Sequence, residues 1–271
     1  MFREFLKSIY YFIYQIFFSK FFLVKFFNSK KILLFNKRNF NYFFQYISND
    51  NDLNTLRQIF IKEEYKFTKN LNKIFKDSYN KILNKKKIPL IIDCGVNICA
   101  SANYFYLIYP KTEIIGIEPD KINLNLCKKN NLNKKKIKIL DSAISNESFN
   151  YTVERNNQDG RSSFINNENQ KNLKVNSPKT VTMKDIMKNY DLDKYKPFII
   201  KIDIEGHEKN FFSSNTEWMK YFDFIIIELH DWMLPNENIS GTFYKALDKD
   251  LINYEIFNFG ENTLIINRIK I

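Results

Sequence analysis

The sequence predicts an α/β protein with one mostly parallel β-sheet, a C-terminal antiparallel hairpin and an N-terminal helical extension. Three observations predict this fold class. Short β-branched runs alternate with helical stretches from about residue 88, polar residues follow several of these runs, and a short connection at residues 260–262 joins the last two. With 271 residues, 44% of them hydrophobic, the chain can bury one complete α/β core.

Residues 1–87 form the predicted extension, which is basic and rich in aromatic residues. Between positions 1 and 48 there are eight basic residues and one acidic residue, Glu4. The longest uncharged stretch, Ser8 to Ser19, has twelve residues, which is short of the roughly 20 that a membrane-spanning helix needs. Two interpretations stay open: peripheral contact with an anionic membrane, or helices that pack their aromatic rings on the rest of the chain or in a homo-oligomer.

The end of the extension is predicted to be mainly helical, because four apolar residues between positions 53 and 60 recur near helical spacing. A lysine run before Pro89 marks the boundary, so the second domain covers residues 88–271.

The second domain alternates strands and helices. Such alternation implies right-handed crossovers and a mostly parallel sheet. The last two strands, joined through Gly260–Asn262, predict an antiparallel hairpin at one edge. The predicted strands are 89–93, 113–118, 137–141, 198–203, 224–228, 254–259 and 263–267, and the predicted helices include 101–109 and 121–131.

The net charge of +12 has two explanations. It suggests nucleic acid or an anionic membrane as a binding partner. However, Lys, Asn, Ile, Phe and Tyr, all with A/T-rich codons, are abundant along the whole chain, so gene composition alone explains much of the basicity. No RRM or KH signature is present, which disfavours nucleic acid.

The cysteines are Cys94, Cys99 and Cys127, and none forms a C-x-x-C pair. Neither a disulfide framework nor a zinc site is predicted, which fits a reducing compartment. No small-residue cleavage site follows the N-terminal apolar stretch, which argues against a secretory signal. We therefore expect a cytoplasmic protein, with peripheral membrane attachment left open.

Two strand ends predict a ligand that contains a nucleoside. Gly95 follows the first strand, and its missing Cβ lets backbone and ligand approach closely. Glu118 ends the second strand, where an ionised carboxylate can accept hydrogen bonds from both ribose hydroxyls. A nicotinamide-dependent oxidoreductase shares this acidic residue, but the glycine triplet is missing, because Asn97 and Cys99 stand where that motif has glycines.

The most polar strand end is the segment Lys201–Glu208, which follows the fourth main strand. It holds three carboxylates, one of the two histidines and one of the six glycines. Open α/β sheets bind ligands at such ends. The other histidine, His230, follows the next strand, so we expect both imidazoles to face one crevice.

These blocks together resemble the FkbM family of S-adenosylmethionine-dependent methyltransferases. The resemblance covers about residues 88–267 and leaves the N-terminal third unmatched. It implies the class I (Rossmann-like) methyltransferase fold and O-methylation, commonly of a sugar hydroxyl in a glycan, glycolipid or natural product. The blocks that carry it, in order, are Ile92–Ile98, Ile117–Asp120, Ala143–Ser145, Val181–Asp185 and Lys201–Glu208.

The resemblance also implies the contacts of the cofactor. The chain departs from the family pattern at Val96 and Cys99, where Ala and Gly are usual. The bulk of Cys99 leaves open a second interpretation, a non-catalytic, membrane-attached binding module. The implied contacts are Asp93, Gly95 and Asn97 with the methionine part, Glu118 with the ribose, and Asp141, Ser142 or Ala143 with the adenine.

Methyl transfer to a hydroxyl needs oxygen, methyl and sulfur in line and a base that accepts the proton. Asp203 is expected in the site. Glu205 and His207 are candidates that compete with helix capping and plain exposure. His230 is the candidate general base, unless it only orders its loop. A divalent metal held by Asp203, Glu228 and His230 is conceivable, since mixed carboxylate and imidazole sites suit several metals.

Three further features concern the acceptor, the molecule that receives the methyl group. The polar segment 149–181 is predicted to be a loop or hairpin over the crevice that selects the acceptor. Within it, Arg161–Ser163 is a candidate cofactor or substrate contact. Trp218 and Trp232 flank the fifth main strand, and Trp232 is better placed to stack on a sugar, with core packing as the alternative.

Overall fold

The computed structural model describes residues 2–26, 29–155, 162–166 and 178–271. The extension contains helices and a small sheet. Its elements are α1 (Phe2–Phe17), β1 (Phe21–Lys25), β2 (Lys31–Asn36), β3 (Asn41–Tyr46), α2 (Asp50–Leu56), a π-helical turn (Arg57–Ile61) and α3 (Lys69–Asn84).

Strands β1, β2 and β3 form an antiparallel sheet, so the prediction of a helical extension was wrong for residues 21–46. The reason is the spacing of the buried side chains. Phe21 and Leu23 are buried in β1, Ile32 and Leu34 are buried in β2, and the residues between them are more exposed. This period of two suits a strand that buries one face, not a helix.

The second domain follows the predicted alternation. Its elements are β4 (Ile88–Cys94), α4 (Ala100–Ile108), β5 (Glu113–Ile117), α5 (Lys121–Asn130), β6 (Ile137–Leu140), β7 (Ile144–Ser145), β8 (Tyr151–Arg155), β9 (Ser162–Asn166), β10 (Val181–Thr182), α6 (Met183–Lys188), β11 (Tyr195–Ile202), α7 (Glu208–Ser213), a 3-10 helix (Glu217–Tyr221), β12 (Phe224–Glu228), α8 (Ile239–Asp250), β13 (Tyr254–Phe259) and β14 (Asn262–Asn267).

Seven strands form the central sheet, in the order β13-β14-β12-β11-β4-β5-β6. Strands β4, β5, β6, β11 and β12 are parallel, whereas β14 is antiparallel to both β12 and β13. The predicted parallel sheet with its terminal hairpin is therefore confirmed. The chain builds outward from β4 on one side and from β11 on the other, so the two strands flank a switch point where such sheets bind ligands.

The extension packs on one face of this sheet. Phe75 of α3 stacks on Phe224 of β12 at 3.7 Å between ring centroids, with 12° between the planes. Farther along, Phe60 contacts Phe21 at 5.1 Å and Tyr104 of α4 at 6.0 Å. These rings belong to one hydrophobic cluster shared by extension and sheet. Many aromatic residues of the extension thus serve packing, and the division at residues 87 and 88 stays a prediction.

Candidate active site at the switch point

A cleft of about 310 Å³ opens at the carboxyl ends of β4 and β11. One wall, the β4 side, comes from the loop after β4 and includes Gly95 and Asn97. The opposite wall, the β11–β12 side, includes Asp203, Glu228 and His230. Parallel strands end at the same edge of a sheet, so polar segments far apart in sequence meet here.

Gly95 stands at the end of β4 with a φ of +81°, a left-handed conformation that favours glycine. A Cβ built on Gly95 would lie 1.8 Å from the main-chain oxygen of Asp203. The sequence predicted that this glycine lets a ligand approach. In the structure, the atom that approaches belongs to the end of β11. The glycine therefore joins the two walls of the cleft.

Lys201 joins the same two strand ends by charge. Its buried Nζ donates to the carbonyl oxygen of Gly95 at 2.8 Å and lies 3.2 Å from Asp93 Oδ1 and 3.2 Å from Asp203 Oδ2. Burial alone would lower the pKa of Lys201, but the two carboxylates outweigh burial and hold it well above its usual value. Sequence reasoning left this residue out of the site. A lysine within an apolar strand was the available signal, because a buried charge needs a partner.

Asn97 lines the β4 side of the cleft, and Glu118, which follows β5, lies buried beside it and is not part of the lining. Glu118 accepts hydrogen bonds from the backbone N–H groups of Asn97 and Asp120, both at 2.9 Å. Burial raises the pKa of Glu118 to about 7, although these hydrogen bonds oppose the shift. The side-chain oxygen of Asn97 is buried without a hydrogen-bond partner, so it can accept from a ligand. Asp93 lies behind the cleft lining, where its Oδ2 accepts from Ser101 at 2.5 Å.

The three residues predicted to flank adenine follow β6, two strands away from β4. Asp141 is exposed, with its carboxylate 2.5 Å from Lys121 Nζ, whereas Ser142 and Ala143 are buried. Since β5 and β6 are parallel neighbours, these residues share the sheet edge with Glu118. None of the three lines the cleft itself, so their contact with adenine stays a prediction.

His230 follows β12 and is surrounded by carboxylates. Its Nδ1 lies 2.8 Å from Glu208 Oε1, and its Nε2 lies 3.4 Å from Glu228 Oε1, 3.8 Å from Asp203 Oδ1 and 4.0 Å from Glu205 Oε2. Burial lowers the pKa of His230, but hydrogen bonds to Glu208 and Glu228 and the nearby charges outweigh burial and raise it to about 10. The ring therefore carries a proton at neutral pH, which favours a role in ordering the loops over that of general base.

Glu205 and His207 take different positions after β11. Glu205 is partly exposed, has a φ of +53° and lines the cleft. Helix α7 begins at Glu208 with His207 at its N-cap, so Glu205 does not cap that helix. His207 is not among the residues of the cleft lining, and burial lowers its pKa to about 4, which leaves it neutral.

Glu208 ties the loop after β11 to the loop after β12. The side chain is completely buried, and its Oε1 lies 3.3 Å from the N–H nitrogen of Ile204 and 3.4 Å from that of Gly206, both donors, as well as facing His230. Sequence reasoning did not include Glu208 in the site. Its position in the first turn of a helix, where a carboxylate is stabilised, could have predicted a structural role. Nothing in the sequence indicated that its partner would be His230.

The extension completes the cleft, which no sequence pattern indicated. Gln58, Glu64 and Tyr65 all line it. Glu64 Oε1 accepts from Gln58 at 2.9 Å and from Asn262 at 2.8 Å, and burial raises the pKa of Glu64 to about 7. Gln58 also lies 3.4 Å from Glu261 in the C-terminal hairpin. The extension and the last hairpin therefore close one end of the site together.

The two tryptophans differ in solvent exposure. Trp218 is buried in the core and stacks on Phe211, with ring centroids 5.3 Å apart. Trp232 is 64% exposed and lines the cleft, with its ring centroid 6.2 Å from that of His230. Trp232 therefore presents an aromatic surface at the mouth of the cleft.

Cys99 does not crowd the cleft. It precedes α4 in a left-handed conformation, with φ of +72°, and it is completely buried. Its Sγ lies 3.9 Å from Asn103 Oδ1 in the core, and the residue is not part of the cleft lining. The bulk that distinguishes Cys99 from glycine is therefore accommodated away from the ligand.

The segment between Phe149 and Val181 contains the predicted hairpin, since β8 and β9 pair antiparallel. Arg161 lies outside the described residues, and the structure gives only the backbone of Ser162 and Ser163. The contact of these three residues with cofactor or substrate stays a prediction.

The sheet order, the antiparallel last strand and a cleft at the switch point define a class I S-adenosylmethionine-dependent methyltransferase. Residues 93–259 match the family described as the Methyltransferase FkbM domain. Because this match covers more than half of the chain, the protein belongs to the FkbM methyltransferases, and its methyl donor is S-adenosylmethionine. Membership decides against a nicotinamide-dependent oxidoreductase.

No curated protein sequence matches this chain. Several solved methyltransferase structures resemble it. The METTL16 methyltransferase domain is 14% identical, with a TM-score of 0.42 over 86% of this chain and 84% of that one. Precorrin-6y C5,15-methyltransferase from Geobacter metallireducens is 8% identical (TM-score 0.36, 72% and 86%). Aeropyrum pernix fibrillarin, with bound S-adenosylmethionine, is 10% identical (TM-score 0.40, 67% and 66%).

Proposed function

We propose that the protein transfers the methyl group of S-adenosylmethionine to a hydroxyl oxygen of a sugar, in a glycan, glycolipid or natural product. The observation that carries the proposal is the exposed ring of Trp232 beside the carboxylates of Asp203, Glu205 and Glu228 in one cleft. An aromatic ring packs well on the apolar face of a sugar, and carboxylates accept hydrogen bonds from its hydroxyls.

The β4 side fits the cofactor by its set of acceptors. The unpaired buried oxygen of Asn97 can accept from the ammonium of the methionine part. The carboxylate of Glu118 can accept from ribose hydroxyls. The bound cofactor supplies a methyl group on a sulfonium, which is an excellent leaving group. The residues of the chain then have to position the acceptor hydroxyl and receive its proton.

Asp203 is the residue that we assign to the acceptor hydroxyl. Its side chain is 31% exposed and lines the cleft, and its carboxylate is held in place by Lys201 at 3.2 Å. A carboxylate there orients the hydroxyl by hydrogen bonding and takes its proton as the new C–O bond forms. Protonated His230 and the partly exposed Glu205 complete the polar wall. His207, outside the cleft lining, has no part in this proposal.

Cofactor binding is the first test. Isothermal titration of the full chain with S-adenosylhomocysteine should show one saturable site, and NADH at the same concentration should show none. Absence of S-adenosylhomocysteine binding would instead favour the non-catalytic binding module.

The acceptor is the second test. The full chain is incubated with methyl-labelled S-adenosylmethionine and extracts of glycolipids, glycans or RNA. We expect label in the sugar-containing extracts, and mass spectrometry of the hydrolysed products should identify an O-methyl sugar. Label on a nitrogen or carbon atom, or in the RNA extract alone, would contradict the proposal.

We also propose that the extension contacts an anionic membrane, which would place the cleft near a glycolipid. No helix in the described ranges is long and apolar enough to cross a bilayer. Helix α1 nevertheless exposes large apolar residues, including Phe12 and Phe17, and the β2–β3 turn exposes Phe40 at 77%. Lys37 donates to the carbonyl oxygen of Gln15 at 2.8 Å, which joins this turn to the C-terminal end of α1.

The membrane proposal is tested by co-sedimentation with vesicles of phosphatidylglycerol and of phosphatidylcholine. The full chain should pellet with the anionic vesicles, and the double variant Phe17→Ser, Phe40→Ser should pellet several-fold less. Ile252→Ser is the matched control, because Ile252 is 91% exposed outside the extension. Equal loss in the control, or no binding by the wild type, would overturn this proposal.

A further inference from the structure

The geometry points to a divalent-cation site formed by Asp203, Glu228 and His230. One oxygen of each carboxylate and one ring nitrogen all lie within 4.8 Å of one another. His230 Nε2 is 3.4 Å from Glu228 Oε1 and 3.8 Å from Asp203 Oδ1. Metal bonds of about 2.1 Å place neighbouring ligand atoms about 3 to 3.5 Å apart. The two nitrogen–oxygen distances are therefore within a few tenths of an ångström of this range, and the two carboxylate oxygens are at most 4.8 Å apart.

The second observation is the orientation of the imidazole. A histidine that binds a metal commonly donates its other ring N–H to a carboxylate, which fixes the ring and the free nitrogen. His230 has this arrangement: Nδ1 is 2.8 Å from Glu208 Oε1, and a carboxylate can only accept when ionised. Glu208 is completely buried and also faces the N–H of Ile204, so it is a rigid support and not a ligand. Nε2 is thereby aimed at the two candidate carboxylates, and a bound cation takes the place of the proton that Nε2 otherwise carries.

The third observation is an excess of carboxylates over cationic groups in this wall. Within the described residues, the only ion-pair partner of Glu228 is His230, whereas Asp203 shares Lys201 with Asp93. Glu205 Oε2, 4.0 Å from Nε2, adds a further carboxylate to the same wall and a third oxygen within reach. Carboxylates grouped in a partly buried cleft repel each other strongly, and a bound cation would offset this repulsion.

The ligand set indicates the class of cation. Carboxylate oxygens suit Mg²⁺ and Mn²⁺, and an imidazole nitrogen adds preference for Mn²⁺, Fe²⁺ or Zn²⁺ over Mg²⁺. Three protein ligands leave coordination positions open toward the cleft. The site thus has room for an oxygen of the acceptor.

The role of the cation rests on the proposed O-methyl transfer, whereas its binding does not. A coordinated hydroxyl oxygen is more acidic than a free one. With Asp203 bound to the cation, the hydroxyl proton passes to Glu205 or to water in place of Asp203. The C–O bond forms as the C–S bond breaks, which leaves an O-methyl product and S-adenosylhomocysteine. The cation also fixes the oxygen in line with the methyl group.

The test is direct titration of the metal-free full chain with Mn²⁺, followed by electron paramagnetic resonance. We expect one ion per chain with a dissociation constant of about 1 to 100 μM, and at least a tenfold weaker value for Asp203→Asn and for Glu228→Gln. Both changes keep the side-chain shape, and circular dichroism confirms the fold. The matched control is Glu237→Gln, since Glu237 is a surface carboxylate paired with Lys209. It should bind Mn²⁺ as the wild type does.

Two results would overturn the cation site: no saturable Mn²⁺ binding up to about 1 mM, or equal affinity in the wild type and Glu228→Gln. Titration with S-adenosylhomocysteine in the presence of a chelator separates this failure from failure of the proposed function. If the cofactor product binds and Mn²⁺ does not, the cation site is wrong and methyl transfer stands. If Mn²⁺ binds and no O-methyl product forms with any acceptor, the cation site stands and the proposed function fails.

Discussion

The two walls of the cleft are built from different chemistry. The β4 side presents one unpaired amide oxygen on Asn97, and the buried carboxyl of Glu118 lies behind it, bonded to the Asn97 N–H. The β11–β12 side groups carboxyl side chains around His230. The first wall suits a fixed ligand recognised by shape and a few hydrogen bonds. The second suits a reaction in which charge and protons move.

The difference shows that one side of the cleft is suited to binding the cofactor and the other to the methyl-transfer reaction. Lys201 and Gly95 join the two walls, because Lys201 bonds the Gly95 carbonyl while pairing with Asp203, and Gly95 packs on the Asp203 backbone. A substitution in one wall should therefore weaken binding of either the cofactor or the acceptor. A substitution of Lys201 or Gly95 should weaken binding of both.

The largest effect is expected for Lys201→Met. Removal of the ammonium leaves the completely buried carboxylate of Asp93 unpaired, so the free energy of unfolding should fall by about 3–5 kcal/mol. S-Adenosylhomocysteine affinity should fall as well, since both strand ends lose their link. Thermal unfolding and isothermal titration measure the two effects.

The matched control is Lys196→Met at the opposite end of β11, where Lys196 pairs with buried Asp223. It should cost stability and leave cofactor affinity unchanged. Equal loss of affinity in both variants would show that Lys201 acts through stability alone.

Gly95→Ala should have the next largest effect, about 3 kcal/mol of stability together with loss of cofactor binding. The added Cβ would collide with the Asp203 main chain at 1.8 Å, in a backbone region that is already unfavourable for alanine. Gly260→Ala shares the positive φ but meets nothing within 4 Å, so it should cost only about 1 kcal/mol. Similar losses in both variants would contradict a special contact at Gly95.

Glu118→Gln should weaken S-adenosylhomocysteine binding by about tenfold to a hundredfold, because an amide offers one acceptor oxygen in place of two. Since burial raises the pKa of Glu118 to about 7, the wild-type carboxyl is ionised above neutrality and gains a proton below it. Cofactor affinity should be full above about pH 7 and fall as the pH falls below that value. For Glu118→Gln, the dissociation constant of S-adenosylhomocysteine should not change with pH across this range. If the variant keeps the pH dependence of the wild type, Glu118 does not bind the ribose.

Trp232→Ala should have the smallest effect, about fivefold to tenfold on the KM for the sugar acceptor, which is about 1 kcal/mol of stacking. The kcat and the cofactor affinity should stay near the wild type, because Trp232 is exposed at the mouth of the cleft. Trp232→Phe keeps a ring and should recover most of the loss. An unchanged KM for Trp232→Ala would remove the observation that supports a sugar.

The strand limits of the second domain were predicted from the sequence to within a few residues. Strands β12 and β13 have the predicted limits, and β4, β5 and β11 differ only at their ends. Their apolar runs are continuous because both faces of a parallel sheet are covered, and polar residues mark where each run stops. The extension was harder, since aromatic residues occur at both helical and strand positions and only burial distinguishes the two.

Periodicity and strand ends are local properties of the chain, so they were enough to predict the sheet, its switch point and the polar residues that gather there. Which of those residues come into contact depends on how the chain folds in three dimensions. The tertiary structure brought Glu208 behind His230, Lys201 between Asp93 and Asp203, and Glu64 of the extension into the cleft. These contacts join segments that lie far apart in the chain or on different loops. Their energies depend on burial and distance in three dimensions, which no spacing along the sequence encodes.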